Sequence, residues 1–122
     1  MFGRGNNLNE RRKFVRFNSS VDVQYALLDK DPNLALQGKS RNISSGGIGL
    51  ITDKKLQEDD VLVVSIYMPQ ETLPIIAKSK VVWVRPLEMH KEKRFDVGSE
   101  FINIAPEDRK KIDRYLFSLR KS

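Results

Sequence analysis

The chain changes its hydrophobic period only once, at Ala105-Pro106, and that single switch bounds what it can fold into. Before it come short segments of β character. Val21-Asp22-Val23-Gln24-Tyr25-Ala26-Leu27 alternates apolar with polar, the period-2 signal of a half-buried strand. Leu34 to Ile43, Gly47 to Thr52, Val61 to Met68, Ile75 to Val84 and Phe95 to Ile104 read as five further strands. Turn and loop chemistry separates them: Pro32 within Asp29 to Asn33, Ser-Ser-Gly-Gly at 44–47, a charged connection over 53–60, Pro69 to Pro74, and a charged hairpin loop from Pro86 to Arg94. After the switch, Pro106, Glu107 and Asp108 form a helix-start signal, and Ile112, Tyr115, Leu116 and Leu119 recur at i, i+3, i+4 and i+7 on one helical face. The spacing predicts a helix over about 106–120. Six strands and a terminal helix, with no alternation of strand and helix, indicate an all-β barrel or sandwich with a helix packed against it.

At 122 residues the chain fits one domain. A domain of this size buries roughly two thirds of its unfolded surface, enough for a core without staples. It has no cysteine, so disulfides and thiolate metal sites are excluded, in keeping with a reducing compartment. No apolar run approaches the ~20 residues of a membrane span. Residues 1–10 are polar, rich in Gly and Asn, and lack the apolar segment of a signal peptide, so a mobile tail and a cytoplasmic location are the expectations.

The net charge of +6 is unevenly placed. Residues 1–20 carry +4 and residues 106–122 carry +3, while the body between them sums to −1. In the N-terminal run arginine outnumbers lysine four to one, and arginine is the residue suited to planar, bidentate anion recognition. Arg12 and Arg16 share parity in an extended arm, roughly 13 Å apart at the backbone, so two long side chains can close on one ligand. A guanidinium forks onto phosphate oxygens or the O6/N7 edge of guanine, and it stacks on purine faces. An isolated Arg-x-x-x-Arg is nonetheless most simply a solvated basic tail. Asn42 and Ser44, at i and i+2, project from one face of a strand, and Gly46 and Gly47 permit positive φ and a close backbone approach to an anionic oxygen. Alone, that segment reads as a common hairpin turn.

The two motifs together, Arg-x-x-x-Arg at 12–16 and Asn-x-Ser-x-x-Gly at 42–47, resemble those of the PilZ domain, a bacterial receptor module for cyclic di-GMP. Val81-Val82-Trp83-Val84 looks like that family's tryptophan-bearing strand, and Phe95 to Phe101 like its closing Gly-x-x-Phe strand. The resemblance runs from about Arg11 to the final helix, giving a domain over 11–122. It implies a six-stranded antiparallel β-barrel with a C-terminal helix. It also implies that Arg12 and Arg16 grip guanine and phosphate while Asn42, Ser44 and Gly47, with Gly46 beside them, line the face beneath. The family accepts Asp or Asn at the position of Asn42; Asn is neutral and offers guanine's N–H groups a weaker acceptor than a carboxylate. Arg11 adds a cation that could serve a second, stacked ligand, giving one or two molecules per chain. In the alternative it points away, because neighbouring residues of an extended segment face oppositely. Trp83 is expected first as a packing residue.

Catalysis finds little footing. His90 is the only histidine and lies among charges without a Ser or Asp partner, and no P-loop, dinucleotide fingerprint or acidic pair at metal spacing is present. The expectation is a cyclic di-GMP receptor that uses no cofactor or metal and acts through an unidentified effector protein. Two other readings remain: a PilZ-like protein scaffold without nucleotide binding, and a small basic barrel that binds nucleic acid in the manner of an OB-fold. Against the last, only the ends of the chain are basic.

Overall fold

The structure is a computed structural model and describes residues 21–29, 35–89 and 92–121. Six strands precede one helix: β1 (Asp22–Leu27), β2 (Leu36–Ser44), β3 (Gly47–Thr52), β4 (Val61–Tyr67), β5 (Ile75–Met89), β6 (Glu92–Asn103) and α1 (Pro106–Lys121). Every pairing is antiparallel, and the order β1-β2-β3-β6-β5-β4 closes on itself. Closure distinguishes a barrel from a sandwich, and the part of β5 beyond Lys80 extends past the ring.

Alternation fills the interior. Val23 and Tyr25 of β1, Ile48 and Leu50 of β3, Leu62, Val64 and Ile66 of β4, and Val97 of β6 are all buried and point into one core. Their odd or even neighbours face outward. Inside, Tyr25 is desolvated, and burial, aided by the charge of Asp53, pushes its phenol up to about 12 against the opposing hydrogen bond with Thr52. Outside, opposed strands carry pairs such as Asp22 with Lys39, whose groups meet at 3.2 Å.

The hairpin expected as a loop from Pro86 to Arg94 is instead a continuation of β5 and β6. Pro86 pairs with Phe95, and the ladder runs out to Met89 opposite Glu92. Beyond Lys80 the other edge of β5 has no neighbouring strand in the ladder. An edge of that kind tolerates a residue without an N–H, so proline need not end the strand.

Helix α1 starts where its sequence signals place it. The Ala105 carbonyl accepts from the amides of Asp108 and Arg109 at 3.0 Å, while Glu107 and Asp108 lie in the first turn, where the helix end is partly positive. Its apolar stripe docks on the barrel: Ile112 is fully buried, and Tyr115 and Leu116 pack against the core. Lys111 reaches Glu71 of the β4–β5 loop at 3.6 Å.

This packing makes a direct contrast testable. Ile112→Ala should cost about 2–5 kcal/mol, because a buried side chain is lost and a cavity is left. Leu73→Ala, at a side chain 74% exposed, should stay within about 0.5 kcal/mol of wild type. Urea denaturation with a shared m-value measures both; equal midpoints would show that α1 does not contribute to the core.

Candidate ligand-binding site

Of the three register shifts in the ladders, one lies between Lys78 and Ser79 of β5, and the other two shape this outer face of the barrel. On β2, Ser40 is buried and opposes Leu50, yet Asn42 opposes Gly49, so the register slips by one residue at Arg41. On β5, Val81 opposes Ser99 while Trp83 opposes Gly98, a second slip at Val82. Without these bulges Asn42 and Trp83 would share parity with the buried Ser40 and Val81 and point into the core. Each extra residue reverses the alternation and turns its follower outward. The result is one row across four strands: Asn42 (β2), Gly49 (β3), Gly98 (β6) and Trp83 (β5).

The glycines let the row lie flat. A Cβ on Gly49 would come within 3.0 Å of Asn42 Oδ1, and one on Gly98 within 2.3 Å of Trp83 Cε2. The amide and the indole therefore rest over the bare backbone of their neighbours. Trp83 is thus half-buried on the outer face and does not join the interior. Its Nε1 has no hydrogen-bond partner.

Ser44 and Gly47 form the next row toward α1. Ser44 Oγ accepts from the Gly46 amide at 3.2 Å. The Gly46 carbonyl accepts from the Phe101 amide at 2.9 Å, and the Ser45 carbonyl accepts from Arg109 Nη1 of α1, also at 2.9 Å. The turn is thereby tied to β6 and to the helix. Neither Gly46 nor Gly47 uses the left-handed conformation that the sequence suggested. Gly46 instead leaves open room, since the nearest atom to an added Cβ is Ser44 Oγ at 3.8 Å.

On the other side of the Asn42 row sits a charged cluster. Asp96 of β6 is buried, with its side chain only 3% exposed, and its Oδ2 accepts from Arg41 Nη1 of β2 and from Arg85 Nη2 of β5, the latter at 3.5 Å. Asp96 Oδ1 has no partner. The Arg85 guanidinium lies 4.4 Å from the centre of the Trp83 ring, a cation–π contact that joins the cluster to the flat row. Burial lifts the Asp96 carboxyl above its ordinary 3.8, with Arg41 and then Arg85 pulling it back down.

Of the residues the sequence singled out, Asn42, Ser44, Gly46 and Gly47 come together on one outward surface. Arg11, Arg12 and Arg16 lie outside the described residues, as do the expected 1–10 tail and His90. Arg41, Arg85, Asp96, Gly49 and Gly98 were not anticipated. Parity could have placed Asp96 and Gly98 on the outside of β6, but the partners on β2 and β5 are visible only once the bulges are known. Among the described residues no group of three or more His, Cys, Asp or Glu could hold a metal ion, and no helix is long and apolar enough to cross a membrane. An open groove of about 400 Å³ lies across β1 and β4, on the opposite side of the ring, and includes none of these residues.

Two measurements test this geometry. Gly98→Ala must displace the indole of Trp83, the sole tryptophan. Its emission should shift, at a stability cost of about 1–3 kcal/mol from overpacking; an unchanged spectrum would contradict the contact. The second concerns pH. Because the folded Asp96 carboxyl is raised, the native state keeps a proton that the unfolded chain has already released. Its contribution to stability is greatest below 3.8 and falls as pH rises through the folded value. The stability of wild type relative to Asp96→Asn should therefore decline as pH rises from below 3.8 through the folded value, and a difference that grew would mean the arginines outweigh burial.

The comparisons agree with this architecture. The PilZ domain family model matches residues 10–118. Among solved structures, the Bacillus subtilis inhibitor of motility MotI/DgrA superposes with a TM-score of 0.71 at 27% identity, over 90% of this chain and 51% of that one. The PilZ domain of YcgR from Escherichia coli, solved with c-di-GMP, gives 0.67 at 22% over 91% and 92%. The K. pneumonia MrkH–c-di-GMP complex gives 0.69 at 20% over 92% and 56%. The chain thus spans about half the length of MotI/DgrA and MrkH and nearly all of the YcgR domain. A search of curated proteins with this sequence finds no match. With a family model matching it almost from end to end on a closed six-stranded barrel with a C-terminal helix, the chain belongs to the PilZ domain family.

Proposed function

We propose that this chain is a receptor for cyclic di-GMP, that it binds the nucleotide on the outer face of β2, β3, β6 and β5, and that it acts through a partner protein and not as an enzyme. The observation that carries the reading is the placement of Asn42 and Ser44 side by side on an outward face, next to the flat Gly49–Gly98–Trp83 row. Family membership and the c-di-GMP named with YcgR and MrkH support it.

The chemistry suits such a ligand. Asn42 offers an acceptor and donors to a purine edge, and the Ser44 hydroxyl keeps its proton for a phosphate oxygen while its oxygen holds Gly46. Arg12 and Arg16 supply bidentate donors to phosphate and guanine. Arg11 supplies charge for a second, stacked nucleotide. Residues 1–16 are too polar and glycine-rich to bury a core of their own, so ligand charge orders them over the barrel. A cytoplasmic partner then reads the altered surface.

Calorimetry with cyclic di-GMP beside single-stranded DNA and GTP is the deciding measurement: preference for DNA would identify a nucleic-acid binder, and no binding to any would identify a protein scaffold. Arg12→Ala and Arg16→Ala should each weaken cyclic di-GMP binding roughly ten- to hundredfold, the loss of one charge-assisted partner, with melting temperature nearly unchanged. Equal affinity in both variants would remove the arm from the site. Two nucleotides per wild-type chain and one per Arg11→Leu chain are expected if Arg11 holds the second molecule; a wild-type stoichiometry near one rules that out. Amides from Arg11 to Phe17 should exchange fast without nucleotide and slowly with it.

A further inference from the structure

Among the described residues Asp96 is the only charged side chain that is buried. As a stabilising device it is poorly built. A carboxylate withdrawn from water carries a desolvation cost, and its two partners are half exposed, Arg41 at 50% and Arg85 at 66%, so both would be well hydrated without it. Its second oxygen has no partner at all.

What Asp96 does accomplish is geometric. Arg41 and Arg85 come from β2 and β5, which are not neighbours in the ring, and Oδ2 draws both guanidiniums to a single point between them. Two cations brought this close would otherwise repel and swing into solvent. Each guanidinium has five N–H donors, and the contact with Asp96 leaves most of them free. The cluster keeps one net positive charge and borders the Asn42–Trp83 row, with Arg85 stacked on Trp83 as the hinge between the two.

We infer that Asp96 is a positioning residue: it holds Arg41 and Arg85 as a paired guanidinium clamp for an anionic group of the ligand, one phosphate of a cyclic dinucleotide. The inference rests on the reading of the outer face as a cyclic di-GMP site. It assigns Asp96 no contact with the nucleotide; its effect passes through the two arginines.

The sign of one substitution tests it. Asp96→Asn removes a negative charge beside an anionic ligand, so simple Coulomb attraction alone would tighten binding. Loss of positioning weakens it. Calorimetry of the full chain with cyclic di-GMP, with melting temperature followed in parallel, should show Asp96→Asn binding roughly tenfold more weakly, the scale of one charge-assisted hydrogen bond. In an Arg41→Gln/Arg85→Gln background, Asp96→Asn should have no further effect. Equal or tighter binding by Asp96→Asn overturns the clamp, as does a further loss in that background. If Asp96→Asn fails to fold, the single variants Arg41→Gln and Arg85→Gln, at half-exposed side chains, still decide: both must weaken binding, and unchanged affinity in either overturns the inference. A wild-type chain that does not bind cyclic di-GMP overturns the site and the clamp together, whereas wild-type binding with unaffected variants overturns the clamp alone.

Discussion

The two β-bulges, at Arg41 on β2 and at Val82 on β5, are the constraint on which the rest of the outer face depends. In a closed barrel strict alternation assigns every residue to the core or to solvent, and the core set is fixed by burial. One extra residue is the only way to switch parity partway along a strand without moving the strand. Below each bulge, toward Ser40 and Val81, the pattern serves the interior. Above it, Asn42 and Trp83 face outward, and the same Arg41 that makes the bulge reaches Asp96. Closing the barrel and building the outer surface therefore use the same strands under different registers.

That arrangement separates the core from the outer face. The core side chains Ile48, Leu50, Val97 and Val81 lie beneath the outer row but do not take part in it. Gly49 and Gly98 connect the layers only through backbone, and the side chains above them rest on that backbone without penetrating it. Substitutions on the face consequently act on the geometry of Trp83, Asn42 and the arginines before they act on the fold. Asp96 is the exception, since it is both buried and charged. Burial raises its carboxyl, and Arg41 and then Arg85 draw it back only in part.

The fold was largely legible in the sequence because alternation is a local property. The starts of β3, β4, β5 and α1 fall where the hydrophobic period and the Pro/Gly punctuation place them. Pro86 misled because its cost depends on whether a neighbouring strand needs its N–H, and nothing local reveals that the ladder on that side stops at Lys80. Trp83 misled for a related reason. Val81-Val82-Trp83-Val84 reads as an uninterrupted buried strand, and a bulge leaves no mark in a run of valines. The motif residues Asn42 and Ser44 were legible as a pair at i and i+2, while Arg41 and Arg85 stand 44 positions apart and acquire meaning only through a shared oxygen on a third strand.

The same distinction explains why the turn at 44–47 is more than a hairpin. A simple two-strand reversal needs only Ser44, Ser45 and two glycines, and the absence of positive φ shows that the glycines are not there for the turn itself. What they leave is an uncluttered backbone whose carbonyls are taken up from outside, Gly46 by Phe101 and Ser45 by Arg109. Any group that presses on Ser44 or Gly47 from the outer face thus pushes against β6 on one side and the first turn of α1 on the other. Ile112, one turn further along the helix, is fully buried in the core. The turn is therefore tied by hydrogen bonds to β6 and to α1, and α1 is tied in turn to the core through Ile112, so the turn, the closing strand and the helix form one connected unit on the outside of the barrel.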